Sequence, residues 1–400
     1  MAKISRVWGQ VIHDSRGDDT VQASVQDERG LIASSAVPAG ASKGKFEAAT
    51  VEPAAAVSNI NEIIGHALVN RDPADQAGID RFMIELDGTS NKSHLGANAI
   101  LGVSMAITRL AALEQQLPLY RYIGKLNNRN EFHIPIPMMN MINGGKHANN
   151  NLDIQEFMVV PDRVTGYHNQ LSAGKMIFST LGTILREDHL SVANGDEGGY
   201  APNLDTNEMA LDYLMRAIKQ SGYQPWDEVS LALDVAASSL PPTFEVTPSR
   251  FLGILRDFPI LSLEDPFDEE DWENWVKFLS QMEQSNSSTK KLMLVGDDLF
   301  VTNQERLRKG IEMKAANAIL VKLNQIGTVT ETLEVSEMAK DAGFMTIVSH
   351  RSGETLDDFI ADFSVGTGAQ FIKTGAPNDT HQERMTKYRR LLTIEQELAA

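Results

Sequence analysis

The 400-residue chain contains no cysteine, and that absence removes a disulfide scaffold, a thiolate zinc site and a cysteine nucleophile together. It also agrees with a reducing compartment, and a cytoplasmic location is expected. Positive charge is scarce: 36 Lys and Arg stand against 54 Asp and Glu, a formal charge of −18. Nucleic-acid binding needs clustered cations that neutralise phosphates, so no nucleic acid is expected as a partner. An anionic small substrate would need a local cationic or metal site. Long apolar runs are missing too. The weakly polar stretch Gly96–Ile107 is too short for a membrane span and stops at Arg109. Residues 1–13 alternate polar and apolar side chains instead of forming the apolar centre of a secretory signal. Neither a membrane span nor a leader is expected.

What the chain does have is apolar content, 42% hydrophobic residues over 400 positions, enough to bury a large core in two or three domains. Residues 1–130 read as an α+β domain. Strand-like runs Arg6–Ile12, Thr20–Val25 and Leu31–Val37 are separated by turn residues, and helix-like runs Ala54–Leu68 and Asn98–Gln116 follow. A polar stretch, Asn127 to Asn130, marks the predicted boundary with a second domain, residues 131–400.

In that second domain six apolar runs each end on an ionisable residue: Asp234, Glu264, Asp297, Lys322, His350 and Lys373. Helix-like segments lie between them, among them Ser249–Arg256, Glu305–Lys314, Val329–Ala342 and Thr355–Phe363. A strand, a helix and a return is the βα unit, and strands apolar on both faces imply a parallel sheet. Several units in a row predict a closed (β/α) barrel, whose chemistry gathers where strands end and βα loops converge. One charge after an apolar run is usually the first solvated residue of a loop. Six in register, acids first and bases later, predict a ring.

Asp234, Glu264 and Asp297 come from successive strands, and three carboxylates with no Cys or His among them suit a hard, oxygen-preferring cation such as Mg²⁺. Without a cation they would repel one another. A divalent ion and partial burial should lower the pKa of Lys322 and make it a usable general base. Lys373 is expected to stay charged and to pair with an anionic substrate group. Taken singly, either lysine reads as a solvated surface residue. Glu197 lies within Gly195–Gly199, where glycines let backbone approach a ligand, although the segment taken alone is also a plain turn. Glu156 begins an apolar strand after the loop Asn143–His147. Carboxyl groups in such settings can hold a proton and serve as general acids. Arg351, with Ser349, Ser352 and His350 around it, reads as a phosphate pocket.

The residues that carry this reading also carry a resemblance over nearly the whole length. The strings are Asp14-Ser-Arg-Gly17, Gly96-Ala-Asn-Ala-Ile-Leu-Gly-Val-Ser104, Ile142-Asn-Gly-Gly145, Gly195-Asp-Glu-Gly-Gly199, Glu264-Asp-Pro-Phe267, Lys322-Leu-Asn-Gln-Ile-Gly-Thr328, Ser349-His-Arg-Ser-Gly-Glu-Thr355 and Lys373-Thr-Gly-Ala-Pro377. The chain resembles the enolases, and the resemblance implies an N-terminal α+β domain before a barrel of the enolase kind. It implies reversible dehydration of 2-phosphoglycerate to phosphoenolpyruvate with two Mg²⁺ ions. A Lys or His base beside one or two Mg²⁺ is the established arrangement of that superfamily. By motif match, Lys322 is the implied base and Glu197 the implied acid supported by Glu156, with His147 and His350 as active-site histidines. Asp234, Glu264 and Asp297 are the implied ligands of one metal, and Ser42 joins the second. Gln155, Arg351, Ser352 and Lys373 are the implied substrate contacts.

Departures from the family cluster in the lids. Ala39 and Lys43 replace the usual Ser and Thr, about ten residues are missing after Glu47-Ala48, and Ser238–Arg250 is shortened. Gln10, Gln22 and Thr393 stand where the family has charges that pair across its dimer interface, so a homodimer or higher homo-oligomer with altered interface charges is expected. The alternatives are an enolase-like paralogue acting on a related phosphonate or phospho-hydroxy acid, and a non-catalytic binding protein; retention of Lys322 and Glu197 argues against the second.

Overall fold

The computed structural model describes residues 2–40, 44–241, 244–285 and 292–400. The chain begins as an antiparallel meander of β1 (Ile4–His13), β2 (Asp19–Asp27) and β3 (Ile32–Ala36). Two aspartates make its turns. Asp14 Oδ1 accepts the N–H groups of Arg16 and Asp18, and Asp27 Oδ1 those of Arg29 and Leu31. The side chain thereby imitates the backbone acceptor of a turn, and Gly17 (φ 84°) and Gly30 (φ 88°) supply the left-handed residue that each needs.

Val21, Ala23 and Val25 turn inward from β2 and pack with helix Ala97–Glu114 in one core cluster. That helix has the length and apolarity of a membrane span, but 83% of it is buried inside the protein. The weakly polar stretch stops at Arg109, but the helix continues to Glu114, close to the expected run Asn98–Gln116. The Arg109 guanidinium donates to Ser35 Oγ, Asp357 and Asp358 and so ties the small sheet to a barrel loop.

Eight strands then close a barrel: β4 (Ile136–Asn143), β5 (Glu156–Val160), β6 (Ser230–Asp234), β7 (Ile260–Glu264), β8 (Met293–Gly296), β9 (Ala318–Val321), β10 (Met345–Ser349) and β11 (Phe371–Lys373). The interior is packed by Met138, Met158, Val160, Ala232, Leu261, Met293, Val295, Ala318, Leu320, Ile347 and Phe371, which form a cluster of their own. Each such large apolar side chain contributes about 1.5–3 kcal/mol when fully buried. An all-parallel sheet is not what forms: β5 runs antiparallel to both β4 and β6. The chain returns from β4 through a loop without a crossover helix, and a direct return must reverse direction. One segment is displaced from expectation. The helix predicted over Thr355–Phe363 occupies Phe359–Thr367 instead, because Asp357 accepts the N–H groups of Phe359 and Ala36 and holds the preceding residues as a loop.

Candidate active site

Strand period two decides which side chains reach the centre of the barrel. Met158 and Val160 point inward, so Glu156 does as well; the reversal of β5 puts that first residue on the same rim as the last residues of the parallel strands. Glu156 pairs in register with Asp234, and Asp234 with Glu264. Asp297, Lys322 and His350 each directly follow a strand, and Lys373 ends β11.

Two ammonium groups organise the acids. Lys373 Nζ lies 2.9 Å from Glu264 Oε2, 3.1 Å from Glu156 Oε2 and 3.7 Å from Asp234 Oδ2. Lys322 Nζ bonds to Asp297 Oδ2, while Gln325 donates to Asp297 Oδ1 at 2.8 Å. Gln155 donates to Asp234 Oδ2 at 3.1 Å. A second group surrounds Glu197. Asn140 donates to its Oε2 at 2.8 Å, and its Oε1 lies 3.4 Å from His147 Nδ1 and 3.5 Å from His350 Nε2. On a third side Arg351 forks onto Glu47 and also donates to Asn324 Oδ1. His147, Gln155, Glu156, Glu197, Asp234, Asp297, Lys322, His350, Arg351, Ser352 and Lys373 all line one cavity. Glu264 does not line it but is fully buried beneath Lys373. Ser42, like Lys43, lies outside the described residues; Gly40 lines the cavity nearby.

The electrostatics follow from burial set against these partners. Burial pushes Asp234 up to about 6 against the pull of Lys373, and drives Glu264 well above the usual carboxylate range. Glu156 is raised by burial and by Glu197. Burial works upward on Asp297 as well, but Lys322 outweighs it and holds that carboxyl low. Burial favours the neutral form of Lys322, but Asp297 outweighs it and raises its pKa; the expected lowering is tied to a divalent ion that would take up the charge of Asp297. His350 is driven well below the ordinary histidine range by burial and then by Arg384, Lys373 and Lys322.

Asp234, Glu264 and Asp297 fit a hard divalent cation. They are buried carboxylates on neighbouring strands, Glu264 Oε1 has no hydrogen-bond partner, and the elevated values of Asp234 and Glu264 are a strain that a cation relieves. Among the described residues the tightest acidic groupings are different sets: Asp265 with Asp297 and Asp298, and His147 with Glu156 and Glu197. Asp265 accepts the N–H groups of Asp297 and Asp298 and so shapes the turn that presents Asp297.

Sequence reasoning missed Asn140, Glu47, Asp265 and Arg384, all of which touch the predicted residues. Asp265 was visible in principle, since it stands inside the string Glu264-Asp-Pro-Phe267. Of the predicted interface residues, Gln10 and Gln22 face each other across β1 and β2 and share a hydrogen bond, while Thr393 Oγ1 donates to Arg389 O in the last helix.

Comparison with known families bears on the whole chain. The enolase N-terminal domain matches residues 4–123, and the enolase C-terminal TIM barrel domain matches residues 131–245 and 248–400. A small sheet domain followed by a closed eight-stranded barrel, with matches to both enolase domains in that order, places this chain in the enolase family.

Proposed function

We propose that this protein is a Mg²⁺-dependent hydro-lyase that reversibly converts 2-phosphoglycerate to phosphoenolpyruvate. The observation that carries the reading is the separation of base and acid. Lys322 and Glu197 line one cavity but do not pair: the lysine is engaged by Asp297, the glutamate by Asn140 and two imidazoles. Elimination across a C–C bond needs a base for one carbon and an acid for the oxygen on the next, each kept from neutralising the other.

Lys322, once released from Asp297 and neutral, takes the proton from C2 of the substrate. The electron pair forms the C2–C3 double bond as the C3 hydroxyl departs with a proton from Glu197, leaving as water. Abstraction builds extra negative charge on the substrate carboxylate, and Lys373 is the buried cation positioned to face it, with Gln155 orienting the same wall. Arg351 and Ser352 bind the phosphate, for which the guanidinium fork is suited. Mg²⁺ held by Asp234, Glu264 and Asp297, with Ser42 serving a second ion, supplies stabilisation of the developing carboxylate charge when bound.

A second reading, an enolase-like enzyme for a related phosphonate or phospho-hydroxy acid, is favoured by one feature. A cavity of about 200 Å³, bounded by Thr50, Val51, Glu52 and Asn98, shares Gly40, Glu47 and Arg351 with the site and leaves room for a bulkier group beside the phosphate. A cytoplasmic homo-oligomer is the form we propose for the enzyme.

The experiment is ultraviolet absorbance of the enol product, with 2-phosphoglycerate and Mg²⁺, for the wild type and Lys322→Ala. Mg²⁺-dependent product lost in the variant supports the proposal. A folded, metal-binding protein that makes no product overturns it and directs the search to bulkier substrates.

A further inference from the structure

We propose that Arg384 is a positioning residue that holds His350 as its neutral Nε2–H tautomer aimed at Glu197, and pins together the two loops carrying those residues. The inference goes beyond the proposed function but rests on it for the consequence to turnover.

Arg384 stands in the first turn of helix Gln382–Ala399 and is completely buried. Its Nη1 donates to His350 Nδ1 and, at 2.6 Å, to Arg351 O. Its Nη2 donates to Ser352 O and, at 3.0 Å, to Asp196 O. One guanidinium thus bridges the segment that bears Glu197 and the segment that bears His350, Arg351 and Ser352. The nearest carboxylate, Glu383 Oε1, is 3.5 Å from Nε, so most of its polar contacts go to carbonyls and an imidazole.

The tautomer follows from donor chemistry. A guanidinium has five N–H donors and no acceptor. In its bond with Arg384, His350 Nδ1 must therefore be the lone-pair nitrogen, and the ring proton sits on Nε2, which lies 3.5 Å from Glu197 Oε1. A second ring proton would set N–H against N–H and a cation against a cation. The charged and titratable groups facing the ring come from every side: Arg384, Lys373, Lys322 and His147 on one account, Glu197 on the other. The single acid does not offset the bases, and burial adds to them in keeping the ring neutral. Packing agrees with this geometry. Gly375 lies against Glu197 O, Arg384 Cδ and His350 Cε1, and a Cβ there would approach them to 2.7, 3.0 and 3.2 Å. The three groups converge on one position that a side chain could enter only by shifting them.

His350 then presents a fixed N–H toward the acid, 3.5 Å from Glu197 Oε1, and is not a competing acid. The test is ¹⁵N NMR of histidine-labelled protein, with His350→Gln to assign the ring, beside the pH profile of kcat/KM. In the wild type we expect Nδ1 unprotonated and Nε2 protonated through and below the ordinary histidine range, about 6.5. Arg384→Met should let the ring titrate in that range and add an ionisation to the acid limb of kcat/KM. Arg384→Lys, which retains one donor for Nδ1, should restore the tautomer in part. A wild-type ring carrying its proton on Nδ1, or titrating normally, overturns the proposal even if the variants fail to fold. So does equal loss of activity in both variants with tautomer and pH profile unchanged, which is what a structural role gives. A correct tautomer in a protein inactive on 2-phosphoglycerate would sink the proposed function and leave this inference standing.

Discussion

Arg351 donates two hydrogen bonds to the Glu47 carboxylate, Nη1 to Oε2 at 3.2 Å and Nη2 to Oε1 at 3.1 Å, across 304 positions of sequence. The pair is nearly buried. A carboxylate thus occupies the fork that a phosphate would use, and phosphate must share or displace it. Removing one charge from a buried pair leaves the other uncompensated, a cost of about 3–5 kcal/mol when the partner is deleted outright and less when an acceptor remains. Glu47→Gln should therefore lower the melting temperature, and inorganic phosphate should restore it, because a ligand that binds only the folded state stabilises it by mass action. Thermal melts with and without phosphate check this. A phosphate-induced rise no larger than in the wild type would show that Glu47 positions Arg351 instead of competing for it.

The metal proposal makes a comparison between two sets of acids. Asp234→Asn, Glu264→Gln and Asp297→Asn should each weaken Mg²⁺ affinity by more than the roughly 10–100-fold expected for an outer-shell change. Asp265→Asn, which acts on Asp297 through the acceptor for the N–H groups of Asp297 and Asp298, should stay within that range. Calorimetric Mg²⁺ titration of the four variants decides it. If the Asp265 variant loses more than the Asp234 variant, the ion belongs to the cluster of Asp265, Asp297 and Asp298.

Asp80 gives a pH prediction away from the site. It is completely buried where helix Gln76–Asp87 meets the barrel helix Val329–Asp341, accepting from Gln76, from Thr330 N–H and from Thr330 Oγ1. Burial outweighs those bonds and raises its pKa in the folded state. An acid raised on folding binds more protons folded than unfolded, so its contribution to stability falls as pH climbs from the unfolded value, about 3.9, through the folded one. Asp80→Asn should flatten that part of the melting temperature against pH curve. An unchanged slope would mean that Asp80 is not what sets it.

How much of this could be read in advance depended on where the chain's local regularity ends. Asp234, Glu264, Asp297, Lys322, His350 and Lys373 were legible because each stands at the end of a strand, and strand ends share a rim. Glu156 was legible as a candidate but not as a neighbour of Asp234, since nothing local announces that β5 runs backwards. Thr355–Phe363 was misplaced because the acceptor that delays the helix, Asp357, is recruited by Ala36 from the other domain. Glu47, Asn140 and Arg384 were illegible for the same reason: their partners lie 304, 57 and 34 residues away. Hydrophobic period carries no information about such pairs.

Gly375 offers the sharpest separation of stability from chemistry. Its φ of 80° is left-handed, a conformation that costs an alanine roughly 1–2 kcal/mol. The added methyl would also come within 2.7 Å of Glu197 O, and since that contact is backbone it cannot be relieved by rotating a side chain. The loop bearing Glu197 must therefore shift, carrying the acid with it, and a misplacement on the order of 1 Å can cost about 100-fold in rate. Gly375→Ala should lose kcat by about tenfold or more while remaining folded and binding Mg²⁺ as the wild type does, because Asp234, Glu264 and Asp297 stand on other strands. Steady-state kinetics beside Mg²⁺ titration measure the two effects separately. Parallel losses in both would mean that the substitution disturbs the whole barrel rim; full activity would mean that Glu197 is held in place by something other than this packing.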